Sequence, residues 1–438
     1  MSTSIQTSKS YLFKLSIPIF FSNIAIPFAG LVDTGLMGHL DSQRYLAAIS
    51  VATSVITMIF WSFGFLRMGT VGLTAQALGR KDFNEITNIL IRNLILAFFI
   101  GLIIILLKDS ILFLIKNFFS VSDEIFILIS HYISIRILSA PAELIIYVLA
   151  GFYLGLQRTS MSSLMISIFC FGNAILSSIF VINYDLEILG VAAGTTIAAY
   201  TTVIIFLIIA YVQLRNKLRS QPLYKKIFNV TKLLQLFNIN FDIFIRTLFL
   251  TFSFLWVTYQ SSKLGENYLA INNILMQFII LASFFLDAYA FSTEAVIGYT
   301  IGKRDKNSFL ATVSNSFQLS IFSGLIISVI YLSTFQIIVN ELTNLDYLKF
   351  LIFNYVFWII IIPPVASICY QFDGIFIGAS QTAEMRNGMI ISVILFISSS
   401  HFLIDKLGNH GLWLSLLFFM ILRSITLNYY FNRILKKL

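Results

Sequence analysis

The chain contains apolar runs that are too long and too numerous for a soluble fold. In the first of them, eighteen consecutive residues from Leu15 to Val32 carry no charged side chain. An α-helix rises about 1.5 Å per residue, so roughly 20 residues cross the hydrocarbon layer of a bilayer. Such a run predicts a membrane-spanning helix, and comparable runs recur along the whole sequence of 438 residues.

Hydropathy predicts twelve spans joined by short connectors, which makes this an all-α polytopic membrane protein. The predicted spans cover 12–38, 46–78, 86–107, 124–156, 161–182, 188–212, 236–261, 268–300, 309–339, 346–378, 386–405 and 409–432. Only 11% of the residues are charged, whereas soluble domains carry about 25%. Abundant Phe and scarce Pro favour long lipid-facing helices over a barrel of short strands.

The net charge of +9 is concentrated in the connectors. The connector 213–232 contains six Lys or Arg residues and no acid, and further basic residues follow Arg433 at the end of the chain. This distribution follows the positive-inside rule, so it predicts a membrane orientation and not a nucleic-acid partner. The protein is predicted to lie in the inner membrane of the cell, with both termini and the connector on the cytoplasmic side. The first ten residues lack the pattern of a cleaved signal peptide.

The two halves of the sequence repeat one another. Residues 12–23 align with 236–247 at an offset of 224, and ALGRKDFN (77–84) and GFYLGLQRT (151–159) align with 300–307 and 374–382 at an offset of 223. Six spans followed by six spans in the same orientation predict two lobes related by a pseudo-two-fold axis along the membrane normal. The predicted six-helix lobes cover 1–212 and 236–438, with a cytoplasmic linker at 213–235. Lobes of this kind rock around a binding site between them.

A single carboxylate stands near the end of the first apolar run. Asp33 lies in the segment PFAGLVDTGLMG (27–38). A charged side chain within a membrane span is costly, so it usually faces a cavity or pathway and marks a functional site. Pro27, six residues earlier, leaves the carbonyl of Asn23 without its helical partner and predicts a kink. The alternative is that Asp33 caps the next turn or pairs with Arg44.

The second half carries three acids in apolar surroundings. Asp287 and Glu294 are seven residues apart and therefore share a helix face, and Asp373 lies in the tenth span. These acids form a possible second site for a cation or a cationic substrate, beside aromatic residues such as Tyr370 that favour cation–π contacts. The alternative is structural, because buried charges normally find partners. The candidate partners are Arg67, a structural charge within the second span, and Arg246.

The sequence offers no pattern typical of an enzyme or a metalloprotein. The two cysteines and four histidines show no ligand spacing, and no phosphate-binding loop, dinucleotide turn, HExxH or GxSxG motif occurs. A cofactor is therefore not expected, and the only small ion expected is a coupling H⁺ or Na⁺.

Five segments resemble the multidrug and toxic compound extrusion (MATE) family, in particular its DinF-like branch. They are LVDTGLMGHL (31–40), FGFLRMGTVGLTAQALG (63–79), APAELIIYVLAGFYLGLQ (140–157), LDAYAFSTEAVIG (286–298) and FDGIFIGASQTAEMRN (372–387). The resemblance extends over both lobes. It implies a two-lobe, twelve-helix exporter of organic cations or amphipathic compounds, driven by inward flow of H⁺ or Na⁺.

The resemblance also implies roles for individual residues. Asp33 would be the carboxylate that binds the coupling cation, with Asn173, Thr195 and Tyr132 as its polar neighbours. DinF-like relatives usually have an aspartate four residues after this asparagine, whereas this chain has Ser177. A single carboxylate can carry a proton alone, while Na⁺ is a hard cation that wants several oxygen ligands. The sequence therefore favours proton coupling.

Two other functions remain open from the sequence. A flippase for a lipid-linked precursor, on a related scaffold, would favour a strongly cationic cavity, whereas the intramembrane charges here lean acidic. A multi-pass membrane enzyme would need a clustered His, Asp or Glu motif at one membrane face, and none stands out. The expected partners are membrane lipid and a small-molecule substrate, and the expected assembly state is a monomer.

Overall fold

The structure, a computed structural model, describes residues 7–40, 42–119, 121–215, 227–343, 345–436 and 438. Within these residues the chain is helical, with no β-strand. The helices of the first half are α1 (Lys9–Gly38), α2 (Gln43–Ser62), α3 (Phe65–Gly79), α4 (Phe83–Leu106), α5 (Lys108–Phe118), α6 (Asp123–Arg136), α7 (Ala140–Gly155), α8 (Thr159–Ile182) and α9 (Glu187–Arg215). Those of the second half are α10 (Val230–Leu264), α11 (Glu266–Lys303), α12 (Lys306–Leu342), α13 (Asp346–Phe353), α14 (Val356–Gly378), α15 (Thr382–Leu407) and α16 (Asn409–Leu435).

Twelve helical stretches of the described chain are long and apolar enough to cross a membrane. They overlap the predicted spans one for one, so the prediction of twelve spans is confirmed. Three predicted spans are interrupted in the structure. The second is broken between α2 and α3, the fourth contains a 3₁₀ turn at Ile137–Ser139, and the tenth is broken between α13 and α14. Hydropathy cannot detect such breaks, because the flanking residues remain apolar on both sides.

Contacts divide the chain into two compact units, which are described separately. The N-unit is Phe21–Phe237, and the C-unit combines Asn238–Leu438 with the described residues up to Phe20. The predicted lobe limits at 212 and 236 stay a prediction. Residues 216–226 of the predicted linker lie outside the described residues.

The leading helix of each half begins in the packing unit of the other half. In the C-unit, the first turns of α1 pack through Leu12 and Leu15 against Val296, and Asn315 Nδ2 donates to the Thr7 carbonyl at 2.8 Å. In the N-unit, the buried Arg92 donates through Nε to the Ile227 carbonyl, just before α10, at 2.8 Å. The similarity of the two halves therefore includes a side-chain hydrogen bond by which each unit binds the backbone near the start of a leading helix.

Close helix packing repeats at the same offset as the sequence. In the N-unit, a Cβ added to Gly151 on α7 would lie 2.3 Å from the Arg67 carbonyl oxygen on α3. In the C-unit, a Cβ added to Gly374 on α14 would lie 2.6 Å from the Ala290 carbonyl oxygen on α11. Only glycine permits either approach. The halves thus share internal packing as well as sequence.

The connectors after α3 and α11 also match. Lys81 and Arg304 have left-handed φ values of 59° and 56°, and each precedes an aspartate that caps the following helix. Asp82 accepts from the Glu85 backbone N–H at 3.0 Å, and Asp305 accepts from the Ser308 backbone N–H at 3.0 Å.

Loss of the Asp305 cap is expected to lower stability by about 1 kcal/mol in Asp305→Ala. The Ser308 backbone N–H holds the pKa of the Asp305 carboxyl below its usual range. Because the pKa is lowered in the folded state, the stabilisation is present above a pH of about 4 and is lost as pH falls through the folded-state pKa. Thermal unfolding of the purified protein at neutral and acidic pH measures both effects. Asp82→Ala removes the equivalent cap of α4 and is expected to lower stability by a similar amount. A difference between wild type and Asp305→Ala that grows at acidic pH would contradict the assignment.

Candidate functional site

The N-unit brings together four of the residues predicted to surround the coupling cation. Asp33 lies near the end of α1, Asn173 and Ser177 lie one turn apart on α8, and Thr195 lies on α9. Asn173 Nδ2 is 3.5 Å from Asp33 Oδ2 and also donates to the Thr195 hydroxyl. Ser177 lies close to the Asp33 carboxylate, and its hydroxyl donates to the Val191 carbonyl at 3.4 Å. The structure therefore assembles these side chains as one cluster.

The close approach of α8 and α9 depends on a glycine that the sequence reading did not single out. A Cβ added to Gly194 would lie 2.5 Å from the Ser177 backbone nitrogen. Gly194 therefore allows α9 to approach α8 closely enough for Thr195 to reach Asn173. In the sequence, the signal for this contact was that Gly194, a small residue, directly precedes the polar Thr195 in an apolar helix.

Gly194→Val is expected to separate these two helices and to disturb the site that they build. Its side chain would overlap the α8 backbone, so the helices must move apart and Asn173 loses its contact with Thr195. We expect impaired transport together with a lower unfolding temperature, and Gly172→Val is the control, since a Cβ there meets an ordinary 3.6 Å contact with Ala198. Equal transport by the two variants would contradict this role for Gly194.

One oxygen of Asp33 has no hydrogen-bond partner within the described chain. Asp33 Oδ1 and Asn173 Oδ1 are both buried atoms without a partner. Buried polar atoms are normally satisfied, so each unsatisfied one requires an explanation. Here the carboxylate and the amide oxygen are free to accept a hydrogen bond from something that the cluster does not itself supply.

A buried ion pair lies beside this cluster. Arg136 at the end of α6 contacts Glu143 in the first turn of α7, and the Ser139 hydroxyl donates to Glu143 at 2.8 Å. Arg136 also attracts the Asp33 carboxylate electrostatically. Tyr132, 2% exposed, lies within the electrostatic range of both Arg136 and Asp33. The sequence reading placed Tyr132 in this neighbourhood but missed Arg136, although an arginine seven residues before a glutamate was a readable signal.

The alternative predicted for Asp33 is not the arrangement found. Arg44 pairs with Glu124 at 2.7 Å on an exposed surface. Pro27 lies within α1, whose helical assignment continues through it from Lys9 to Gly38. The kink at Pro27 stays a prediction.

The C-unit places Asp373 between two arginines. Asp373 Oδ2 accepts from Arg246 on α10 and, at 2.6 Å, from Arg423 on α16. All three side chains are at least nine-tenths buried. The structural alternative, pairing with Arg246, is therefore the one found for Asp373. The sequence reading missed Arg423, whose place in the twelfth span gives no hint of its partner.

The other predicted residues lie outside this triad. The Arg423 guanidinium lies 5.7 Å from the centre of the Tyr370 ring, and Asp287 acts on Tyr370 electrostatically. Glu294 is 1% exposed and lies further along α11, where its backbone carbonyl faces Gly378.

Arg67 belongs to the N-unit. It is half-buried on α3 and acts electrostatically on Tyr147.

The described residues contain no group of three or more His, Cys, Asp or Glu side chains able to hold a metal ion. Cys170 and Cys369 are both buried and unpaired with each other. Two of the buried polar groups are candidate sites: the carboxylate cluster around Asp33 in the N-unit and the arginine–aspartate triad in the C-unit.

Comparisons with known proteins agree with this architecture. The MatE family profile matches residues 18–180 and 243–402. DNA damage-inducible protein F of Escherichia coli K12 is 34% identical over 425 residues, which cover 97% of this chain and 92% of that protein.

Two solved structures have the same fold. The Vibrio cholerae MATE transporter VcmN in its bent form matches with a TM-score of 0.86 at 19% identity, over 99% of this chain and 98% of that chain. A MOP superfamily transporter from Pyrococcus furiosus, described as having a binding pocket of reverse polarity, matches with a TM-score of 0.86 at 15% identity, over 98% of this chain and 96% of that chain. Because the MatE profile covers most of the chain and protein F aligns along nearly all of it, this chain belongs to the MATE family and is a multi-pass membrane transporter, not an enzyme.

Proposed function

We propose that the protein is a secondary antiporter that exports organic cations or amphipathic compounds in exchange for protons, with Asp33 as the coupling carboxylate. The observation that carries the proposal is the environment of Asp33. Its Oδ2 faces the Asn173 amide, whereas its Oδ1 has no partner within the described chain. A carboxylate held in this way within a membrane span can gain and lose a proton without rebuilding its surroundings.

Two features of the cluster support a proton over Na⁺. A sodium ion would want several oxygen ligands, but Asn173 presents its amide nitrogen to Asp33, and Ser177 stands where the resemblance to DinF-like proteins implies a second carboxylate. Arg136 already supplies positive charge to this neighbourhood. A second fixed cation beside Asp33 is therefore disfavoured, whereas a proton neutralises the carboxylate outright.

Protonation gives Asp33 a way to drive the transport cycle. The neutral carboxyl group no longer attracts Arg136 and accepts a weaker hydrogen bond from Asn173. Two states of the cluster with different contacts can bias two arrangements of the lobes. In this scheme, rocking of the lobes around a central cavity is linked to proton uptake, and the helix kink predicted at Pro27 is the place where α1 responds.

The charge distribution of the chain supports a membrane location and an orientation for this cycle. The basic connectors support an inner-membrane location with both termini in the cytoplasm. The proposal treats one chain as the transporting unit, because each chain supplies both lobes.

Transport in proteoliposomes tests the proposal. A fluorescent organic cation is loaded, and ΔpH and ΔNa⁺ are imposed separately. We expect movement of the cation driven by ΔpH. Movement driven by ΔNa⁺ alone would contradict proton coupling. If the cation moves under neither gradient, export of organic cations is ruled out as the function.

The buried arginines favour one second candidate, a flippase for a lipid-linked or other anionic amphipathic precursor. Around Asp373 two guanidinium groups face one carboxylate, so two buried cations accompany the acids that the sequence suggested, among them the nearby Asp287. The same vesicles, containing a fluorescent anionic lipid analogue, test this candidate. Proton-independent movement of the lipid without movement of the cation would favour it.

A further inference from the structure

The N-unit contains a cavity that plays no part in the proposed proton site. It has a volume of about 280 Å³ and lies where α3 ends, α4 begins and α10 begins. The lining combines polar side chains, among them Arg80, Asn93 and Lys232, with the apolar side chains of Leu73, Ile89 and Leu236. The apolar members of this set would suit carbon atoms, and the polar members would suit a charged group.

The charged side chains of the cavity favour an anion. Glu85 is already occupied, since Arg92 Nη1 lies 3.0 Å from it and Lys232 Nζ lies 3.8 Å from it. Asp82 is engaged as the cap of α4. Three basic residues thus face two acids that already have partners. The beginnings of α4 and α10 add the partial positive charge of two helix N-termini.

A buried acceptor adds a second requirement. Asn93 is fully buried and lines the cavity, and its Nδ2 donates to the Ile89 carbonyl at 2.9 Å. Its Oδ1 has no hydrogen-bond partner within the described chain. A bare anion cannot satisfy this atom, because it needs a hydrogen-bond donor. The ligand that fits therefore carries a negative group together with an N–H or O–H donor.

We propose that this cavity binds a phosphate ester that carries a hydroxyl or primary amine, either as a phospholipid headgroup or as a free glycerol-type phosphate. Arg80 and Lys232, both exposed along the lining, hold the phosphate, and Asn93 Oδ1 accepts from the donor end. The cavity lies at a helix end that is rich in basic residues, where membrane proteins commonly bind anionic headgroups. Leu73, Ile89 and Leu236 contact the carbon skeleton.

The site belongs to the first half of the chain alone. At the offset of 223, Glu85, Arg92 and Asn93 correspond to Ser308, Asn315 and Ser316. At these positions the second half retains the aspartate that caps the following helix. It has no residues equivalent to the Glu85–Arg92 ion pair or to Asn93, whose Oδ1 has no partner. This difference provides a matched control, because Lys303 is the counterpart of Arg80 beside a helix that lacks the equivalents of Glu85, Arg92 and Asn93.

Thermal unfolding of the purified full chain tests the proposal. A thiol-reactive dye reports unfolding through the two buried cysteines. The probes are dihexanoyl phosphatidylglycerol, glycerol 3-phosphate and inorganic phosphate. Dihexanoyl phosphatidylcholine is the reference, since it carries a phosphate but no N–H or O–H donor. We expect phosphatidylglycerol to raise the unfolding temperature above the reference in a saturable manner.

Variants separate the site from general lipid effects. Arg80→Gln combined with Lys232→Gln is expected to weaken the saturable effect at least about tenfold, because two charge-assisted contacts are lost. Asn93→Leu is expected to reduce the preference over phosphatidylcholine to the part that comes from the net negative charge of phosphatidylglycerol, and Lys303→Gln should leave binding unchanged. The two exposed substitutions keep the test valid if Asn93→Leu does not fold.

The outcomes are distinct. Stabilisation by phosphatidylglycerol alone supports the site and identifies a lipid headgroup as the source. Stabilisation by glycerol 3-phosphate as well supports the site with a soluble ester as a second source. Equal effects of phosphatidylglycerol and phosphatidylcholine, a response to inorganic phosphate alone, or an unchanged response in the Arg80 and Lys232 variant would overturn the proposal.

Discussion

Asp33→Asn is expected to abolish proton-driven efflux while leaving the fold intact. The amide has nearly the same shape as the carboxyl group and keeps the contact with Asn173, but it cannot take up a proton at neutral pH. The expected loss in ΔpH-driven transport is at least about 100-fold, as is typical when a proton-transferring side chain is removed. Reconstituted vesicles measure it directly.

Two controls make this result specific. Asp287→Asn removes another half-buried carboxylate, in the C-unit, and is expected to retain coupling. Downhill exchange of labelled substrate, which needs binding and lobe motion but no proton, should continue in Asp33→Asn. If Asp33→Asn keeps full ΔpH-driven transport while Asp287→Asn loses it, the coupling site lies in the second half.

Asp373→Asn is expected to be the most destabilising single substitution at these sites. It leaves the guanidinium groups of Arg246 and Arg423 buried with no negative partner. Breaking a buried ion pair in this way costs about 3–5 kcal/mol. Thermal unfolding in detergent, followed by the thiol-reactive dye, should show a large fall in unfolding temperature.

The cause of that loss can be isolated by removing the whole triad. Asp373→Leu combined with Arg246→Met and Arg423→Met leaves no unpaired charge, so much of the lost stability should return, as replacement of buried ion pairs by apolar residues often shows. A triple variant that is less stable than Asp373→Asn would mean that the triad stabilises the unit through more than charge pairing. Near-wild-type stability of Asp373→Asn would show that the arginines are not dependent on this carboxylate.

The sequence predicted the features that depend on local pattern. Span number follows from apolar length, and the cluster of Asp33, Asn173, Ser177 and Thr195 follows from the resemblance to a family. The break between α2 and α3 and the short helix α5 were missed, because hydropathy averages over a window and does not register a change of helix direction.

Partners that are distant in sequence were also missed. Arg423 and Asp373 are 50 positions apart, and only the packing of α16 on α14 brings them together. Gly194 was missed for a similar reason, because its importance lies in the backbone of the neighbouring helix. Such pairings depend on tertiary packing, for which a single sequence contains no periodic signal.

The way the leading helices begin has a consequence for any half of this protein made alone. The first turns of α1 pack in the C-unit, and the described residues from Ile227 to Phe237 pack in the N-unit. An isolated half would therefore expose the start of its own first helix and leave empty the place that receives another. The N-unit receives the start of α10 and the C-unit receives the start of α1, which is the reciprocal exchange of a domain-swapped dimer. The chain is in this sense a swapped dimer fused end to end, and its halves should assemble when they are co-expressed but not when either is made by itself.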